Sequence, residues 1–183
     1  MQARTFPLPA PRFEDEVLSE EWYALEHPGR ATSMAMFVSL IALCNLAVLV
    51  PIMAGEAAYY LSLAKPDWAP EPWVIVPASI GAFTLIGTAA WMVWRSPPDI
   101  TTSTALGWLA GTLVLSFAWT PIFFGAHALG TSFLILGTIV IMASAATFAF
   151  GRVSLFAGFL MFLSSVWLAG LAVLGGTIWF LNV

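Results

Sequence analysis

The groups in this chain best placed to act on another molecule are aromatic rings. Nine Trp and fourteen Phe occur. Several fall in helical register: Trp91 and Trp94, then Trp119, Phe123 and Phe124, then Trp167 and Trp179. Aromatic faces stack on planar conjugated molecules, and a mostly apolar cavity with few polar groups is the usual small-molecule site. Core packing or interfacial anchoring is the other use of each ring, and it is favoured for Trp94 and Trp179. The densest cluster is residues 65–73, KPDWAPEPW. Its prolines fix φ and remove backbone donors, so the segment is not helix interior. With Trp68 and Trp73 it reads as a stiff aromatic cap that closes a pocket for a flat apolar ligand. An interfacial loop with anchoring Trp residues is the alternative.

Other chemistry is sparse. His27 and His127 have no Cys, His or carboxylate partner at metal-binding spacing, so no metal site is expected. His127 is a candidate axial ligand for a haem-like metal, against the plainer reading of a solvated loop histidine. Cys44 stands alone in mid-span and reads as a small apolar packer. There is no Ser/His/Asp set, no phosphate loop and no basic patch for nucleic acid. No residue is assigned a catalytic role. No span carries Lys, Arg, Asp or Glu away from its ends, which argues against an ion-coupled transporter.

The elements that must position these rings are membrane spans. Of 183 residues, 60% are hydrophobic and 9% charged. A soluble domain of this size cannot hide so much apolar surface. A span needs roughly 20 apolar residues, and five runs qualify: 33–53, 73–94, 101–124, 129–150 and 153–181. The last exceeds one bilayer thickness and is expected to tilt or project. The short turns at 95–100, 125–130 and 151–152 make neighbouring spans antiparallel, giving an all-α, up-and-down five-helix bundle over 31–183. The basic residues Arg4, Arg12, Arg30, Arg95 and Arg152 fall on one side and Lys65 on the other. That pattern places the N-terminus in the cytoplasm if the membrane is a bacterial inner one.

Residues 1–30 form an extension without the pattern of a secretory signal. Within it Phe13, Val17, Leu18, Trp22 and Leu25 approach helical spacing, and Pro28–Gly29 end the pattern. The expected element is a short amphipathic helix carrying six acids, Glu14, Asp15, Glu16, Glu20, Glu21 and Glu26. Anionic lipid would repel it, so packing against a protein surface is the expectation, with a solvated interfacial helix as the alternative. Gly107 and Gly111 make a GxxxG pair that suits either a dimer or partner face, or close packing inside the bundle.

Four segments in order, YYLSLAKPDWAPEPW, GTAAWMVW, AWTPIFFG and the terminal IWFLN, resemble the tryptophan-rich sensory protein/translocator protein family (TspO/MBR) from about residue 59 to 182. The resemblance implies a five-helix membrane bundle, often a homodimer, that binds porphyrins and other tetrapyrroles. In some members sterols or synthetic ligands bind instead. It places the pocket among the helices beneath the first loop. Trp68, Trp73, Phe83, Trp119, Phe123 and Trp167 fall at the matching ligand-facing positions. No cofactor is obligatory; a tetrapyrrole or a lipid is the expected occupant. The expected partners are lipid, the small apolar ligand, and a second copy or another membrane protein, with no nucleic acid.

The departures from the family pattern are specific. Ser79 stands where one of two tryptophans linked to porphyrin photochemistry is usual, and Trp167 matches the other. Ser116 and Gly175 replace asparagines, Leu163–Ser164 replaces a Pro–Tyr pair, and Phe83 replaces a common Tyr. A site that loses hydrogen-bonding groups loses discrimination. These changes count against light-driven porphyrin oxidation. They leave a non-enzymatic tetrapyrrole-type binder or sensor as the first expectation. An accessory subunit of a photosynthetic or respiratory membrane complex is the second.

Overall fold

The computed structural model describes residues 29–53 and 57–183. The expected acidic helix over 13–25 lies outside the described residues. The chain forms two compact units, Met1–Met36 and Phe37–Val183. In the first, the described residues open a helix in which the Ser33 N–H donates to the Gly29 carbonyl at 2.9 Å. The second holds the packed bundle.

All regular structure among the described residues is helical: α1 (Arg30–Met53), α2 (Ala57–Ser62), α3 (Pro72–Trp94), α4 (Ile100–Thr120), a π-helical turn (Pro121–Gly125), α5 (Leu129–Val153) and α6 (Leu155–Leu181). Five of these helices are long and apolar enough to cross a membrane by length and composition, α4 running on through the π turn to Gly125. The chain is an integral membrane protein.

Three sequence expectations shift at their edges. The segment 65–73 is the expected break between helices, with α3 opening at Pro72, one residue before the expected start at 73. Proline suits a first helical turn, where its missing N–H has no partner to lose. Pro121 likewise starts the π turn, so the third span changes pitch near its end. The turn expected at 151–152 falls instead at Ser154, the one residue between α5 and α6. Ser154 is extended (φ −152°, ψ 124°), and its hydroxyl caps α6 by accepting from the Ala157 N–H at 3.4 Å. So short a link works because Gly158 lies against Gly151: a Cβ built on Gly158 would stand 2.6 Å from the Gly151 Cα.

The α5–α6 hairpin is the closest pairing; α4 packs on α5, and α3 on α6. Between membrane helices no hydrophobic force acts, so close packing and hydrogen bonds must hold the bundle. Small buried residues supply the first, with Ala89, Ala90, Ala105, Ala143, Ala146 and Ala157 all fully buried. Gly87 lets α1 approach α3, since a Cβ there would lie 2.8 Å from the Ile41 Cα. Side-chain bonds supply the second. Asn45 Nδ2 donates to Thr84 Oγ1 at 3.1 Å, and Ser164 Oγ donates to the Ala82 carbonyl at 2.9 Å. Thr147 and Ser165 hydroxyls pair at 3.0 Å. Asp99 caps α4 through a 2.7 Å bond from the Thr102 N–H, which holds its carboxyl below the usual carboxylate range.

The GxxxG pair divides. Gly111 packs inside the bundle, where the Met142 methyl occupies the space a Cβ would take. Gly107 is exposed with open space above it.

Candidate functional site

A cavity of about 280 Å³ lies among the helices, in the range where small ligands begin to fit, roughly 300 Å³ upward. Every helix contributes. From α1 come Ala47 and Val48, and from α2 Tyr60. Ile75, Val76, Ser79 and Phe83 come from α3, Ser116 and Trp119 from α4, and Phe123 and Phe124 from the π turn. Leu136 and Ile139 of α5 and Leu168, Leu171, Leu174, Gly175 and Ile178 of α6 close it. Pro72 stands at the start of α3 on the same wall.

The aromatic wall is one stacked unit. Trp119 and Phe123 lie nearly parallel, with centroids 4.9 Å apart and 19° between planes. Phe124 meets both edge-on. The π turn brings this about by widening the helix after Thr120. It thereby places two successive residues, Phe123 and Phe124, on the cavity, and irregular pitch of this kind recurs at functional sites.

Polar groups on the wall are few. Tyr60 donates its hydroxyl to the Pro70 carbonyl at 3.1 Å. Burial, and after it the Glu71 carboxylate, push its phenol pKa up, so it stays protonated. Ser116 donates to the Thr112 carbonyl at 2.8 Å. Ser79 accepts from Trp167 Nε1 at 3.1 Å. Trp119 Nε1 is buried under protein atoms without a partner. None of the lining residues carries a charge. Among the described residues no group of three or more His, Cys, Asp or Glu could hold a metal ion.

Residues 63–71 form a strap whose two flanks, Tyr60 and Pro72, line the cavity. Three anchors hold it. Lys65 Nζ donates to the carbonyls of Tyr60, Leu61 and Leu63 at 2.9–3.1 Å, capping α2. Tyr59 stacks on His127 with centroids 4.1 Å apart and meets Phe123 edge-on at 5.6 Å. At the far end of the chain, Asn182 bonds Ala64 reciprocally: its Oδ1 accepts from the Ala64 N–H at 3.0 Å and its Nδ2 donates to the Ala64 carbonyl at 2.9 Å. Asn182→Ala removes both bonds while leaving the spans intact. Local opening of the strap is expected to rise about tenfold, since each net bond contributes about 1 kcal/mol at most on an exposed surface. Hydrogen exchange at the Leu63, Ala64 and Lys65 amides reads this directly.

The residues singled out in the sequence divide accordingly. Phe83, Trp119 and Phe123 line the cavity. Trp68 and Trp73 do not: they are 56% and 77% exposed. The helix start at Pro72 leaves Trp73 outside, and Trp68 is exposed on the strap. Their exposure suits the alternative use of tryptophan, anchoring at a membrane boundary. Trp167 is half-buried behind the wall and reaches the cavity only through Ser79. His127 is exposed and stacked on Tyr59, and its backbone takes a positive φ of 52°. Sequence reasoning missed the aliphatic half of the wall on α5 and α6, because long apolar runs show no preferred face. It also missed Tyr60, although that residue lies within the motif YYLSLAKPDWAPEPW.

Five apolar spans around an aromatic cavity, strapped at one end by a proline-rich loop, define a small helical membrane protein of the TspO kind. The chain belongs to the TspO/MBR family, whose model matches residues 31–180. It is 33% identical to the translocator protein of Homo sapiens over 123 residues, 66% of this chain and 73% of that one. The tryptophan-rich sensory protein of Cereibacter sphaeroides is 26% identical over 133 residues, 73% of this chain and 82% of the relative. Protein CrtK of Rhodobacter capsulatus is 26% identical over 151 residues, 82% and 94% of the two chains.

Proposed function

We propose that this protein is a non-catalytic membrane binder or sensor that holds a flat, mostly apolar, porphyrin-like molecule in the cavity behind the 63–71 strap. The observation that carries this reading is the cavity wall itself: stacked rings on one side, aliphatic side chains on the other, and no charge. An unpaired carboxylate is costly to bury. The acidic substituents of a porphyrin would therefore stay at the mouth while its ring edge enters. The wall carries no charged group, and its hydroxyls are those of Tyr60, Ser79 and Ser116. Where the family resemblance points to a second photochemical tryptophan, Ser79 offers no ring to oxidise. The membrane is taken to be a bacterial inner one, with Arg30, Arg95 and Arg152 on the cytoplasmic side. Gly107, open and beside the exposed Trp108, is the surface we assign to a second copy or a partner membrane protein.

Titration of the detergent-solubilised protein with protoporphyrin tests the reading. Saturable tryptophan quenching with a shifted Soret band is expected, and the absorbance should survive illumination in air. Absence of a saturable change rejects the porphyrin assignment, and bleaching that depends on the protein rejects the non-catalytic one.

A further inference from the structure

Nine serine and threonine hydroxyls of the spans follow one habit, which Ser79, like Thr84, Thr120 and Ser132, does not. Thr88, Thr104, Thr112, Ser116, Thr138, Ser144, Thr147, Ser164 and Thr177 each donate to the carbonyl four residues back, at 2.6–3.0 Å. That back-bond is the usual way to hide a hydroxyl proton in an apolar helix. Ser79 makes no such bond. Its oxygen accepts the indole N–H of Trp167 from α6, and its own proton has no acceptor among the described residues. The side chain is 6% exposed, and the residue lines the cavity.

Comparison with the other polar groups on the wall isolates it. Tyr60 and Ser116 have given their protons to backbone carbonyls, and Trp119 Nε1 is covered by protein. Among the described residues Ser79 is thus the one lining hydroxyl with a proton left for an occupant. Accepting a hydrogen bond from an indole polarises a hydroxyl and strengthens it as a donor, the more so in a low-dielectric setting. A buried donor left unmade is costly, so an occupant with an acceptor at this point is favoured over an apolar one of the same shape.

We infer that Ser79, polarised by Trp167, is the specificity-determining donor of the cavity, and that it selects an uncharged ring bearing a carbonyl or similar acceptor over the matching hydrocarbon. The inference rests on the reading of the cavity as a ligand site and adds which chemistry the buried part of the ligand carries. Trp167 acts as a positioning residue: it holds the Ser79 oxygen by its lone pair, so the proton turns away from α6. Sites that hydrogen-bond a ligand group reject analogues lacking it far more strongly than purely apolar pockets reject size variants.

Fluorenone and fluorene make the test, because they are rigid three-ring molecules of nearly one shape that differ by a carbonyl. Binding is measured by calorimetry on the full chain in lipid nanodiscs, with empty discs subtracting partition into lipid. The wild type is expected to prefer fluorenone about tenfold, the effect of one good neutral hydrogen bond. Ser79→Ala should abolish that preference, and Trp167→Phe should reduce it. The infrared carbonyl band of bound fluorenone should lie at lower frequency in the wild type than in Ser79→Ala. Equal binding of the two compounds by the wild type overturns the inference and leaves the ligand-site reading standing. So does an equal loss of both compounds in Ser79→Ala. Binding of neither compound overturns both.

Discussion

Leu171→Trp is expected to close the cavity and abolish ligand binding without unfolding the protein. Leu171 lies on α6, is half-buried, and lines the cavity from the side opposite the aromatic wall. The extra indole volume has somewhere to go, because the space beside Leu171 is empty. Overpacking normally costs about 1–3 kcal/mol when a filled core must move aside, but here the ring enters a void of about 280 Å³. Thermal stability in detergent should therefore change little, or rise. Affinity for protoporphyrin, or for fluorenone, should fall at least about a hundredfold, roughly 2.7 kcal/mol. The contrast between the two readouts is what matters. A variant that binds as well as the wild type would show that the ligand sits elsewhere on the bundle.

Gly158→Val is expected to produce the largest loss of stability of any single substitution considered. Gly158 faces Gly151 across the one-residue link at Ser154. Any Cβ there falls within 2.6 Å of the Gly151 Cα and 2.8 Å of its nitrogen. Those atoms are backbone, so no rotamer change relieves the clash. The α5–α6 hairpin must open, and with it the closest helix pairing of the bundle. A loss of about 3 kcal/mol or more is expected, at the upper end for overpacking. Unfolding in mild detergent, followed by circular dichroism against temperature, measures it. Gly137→Ala is the matched control. Gly137 lies within α5 and meets nothing within 4 Å, so alanine there should be neutral or slightly stabilising through helix propensity. If the two variants melted alike, close glycine packing would not hold the hairpin.

Much of the fold was legible in the residues because the bilayer imposes a simple rule. Each span must be about 20 apolar residues long and must satisfy its own backbone. The five runs and their short connections therefore fixed helix number, rough boundaries and antiparallel order. Proline marked where helices begin, though chemistry that forbids a helix interior equally permits a first turn, and Pro72 took the second option. The link at Ser154 lies two residues beyond the turn expected at 151–152, because Gly151 reads as a turn when its role is to admit a neighbouring helix.

The site was only half legible, for a different reason. Composition pointed to an aromatic, nearly uncharged pocket, and the family resemblance named Phe83, Trp119 and Phe123, which do line it. Which face of an apolar helix turns inward leaves no mark on a sequence when lipid and core are equally apolar. Trp68, Trp73 and Trp167 look alike as letters. Only packing separates two exposed rings at the boundary from one that holds a serine oxygen across two helices. The same holds for Asn182, whose bond to Ala64 joins residues 118 positions apart. The sequence by itself determined a five-span membrane bundle with aromatic chemistry and no charge inside. The tertiary structure alone decided where the cavity lies, which rings face it, and which hydroxyl keeps a free proton, because those depend on helix rotation and on contacts between residues far apart in the chain.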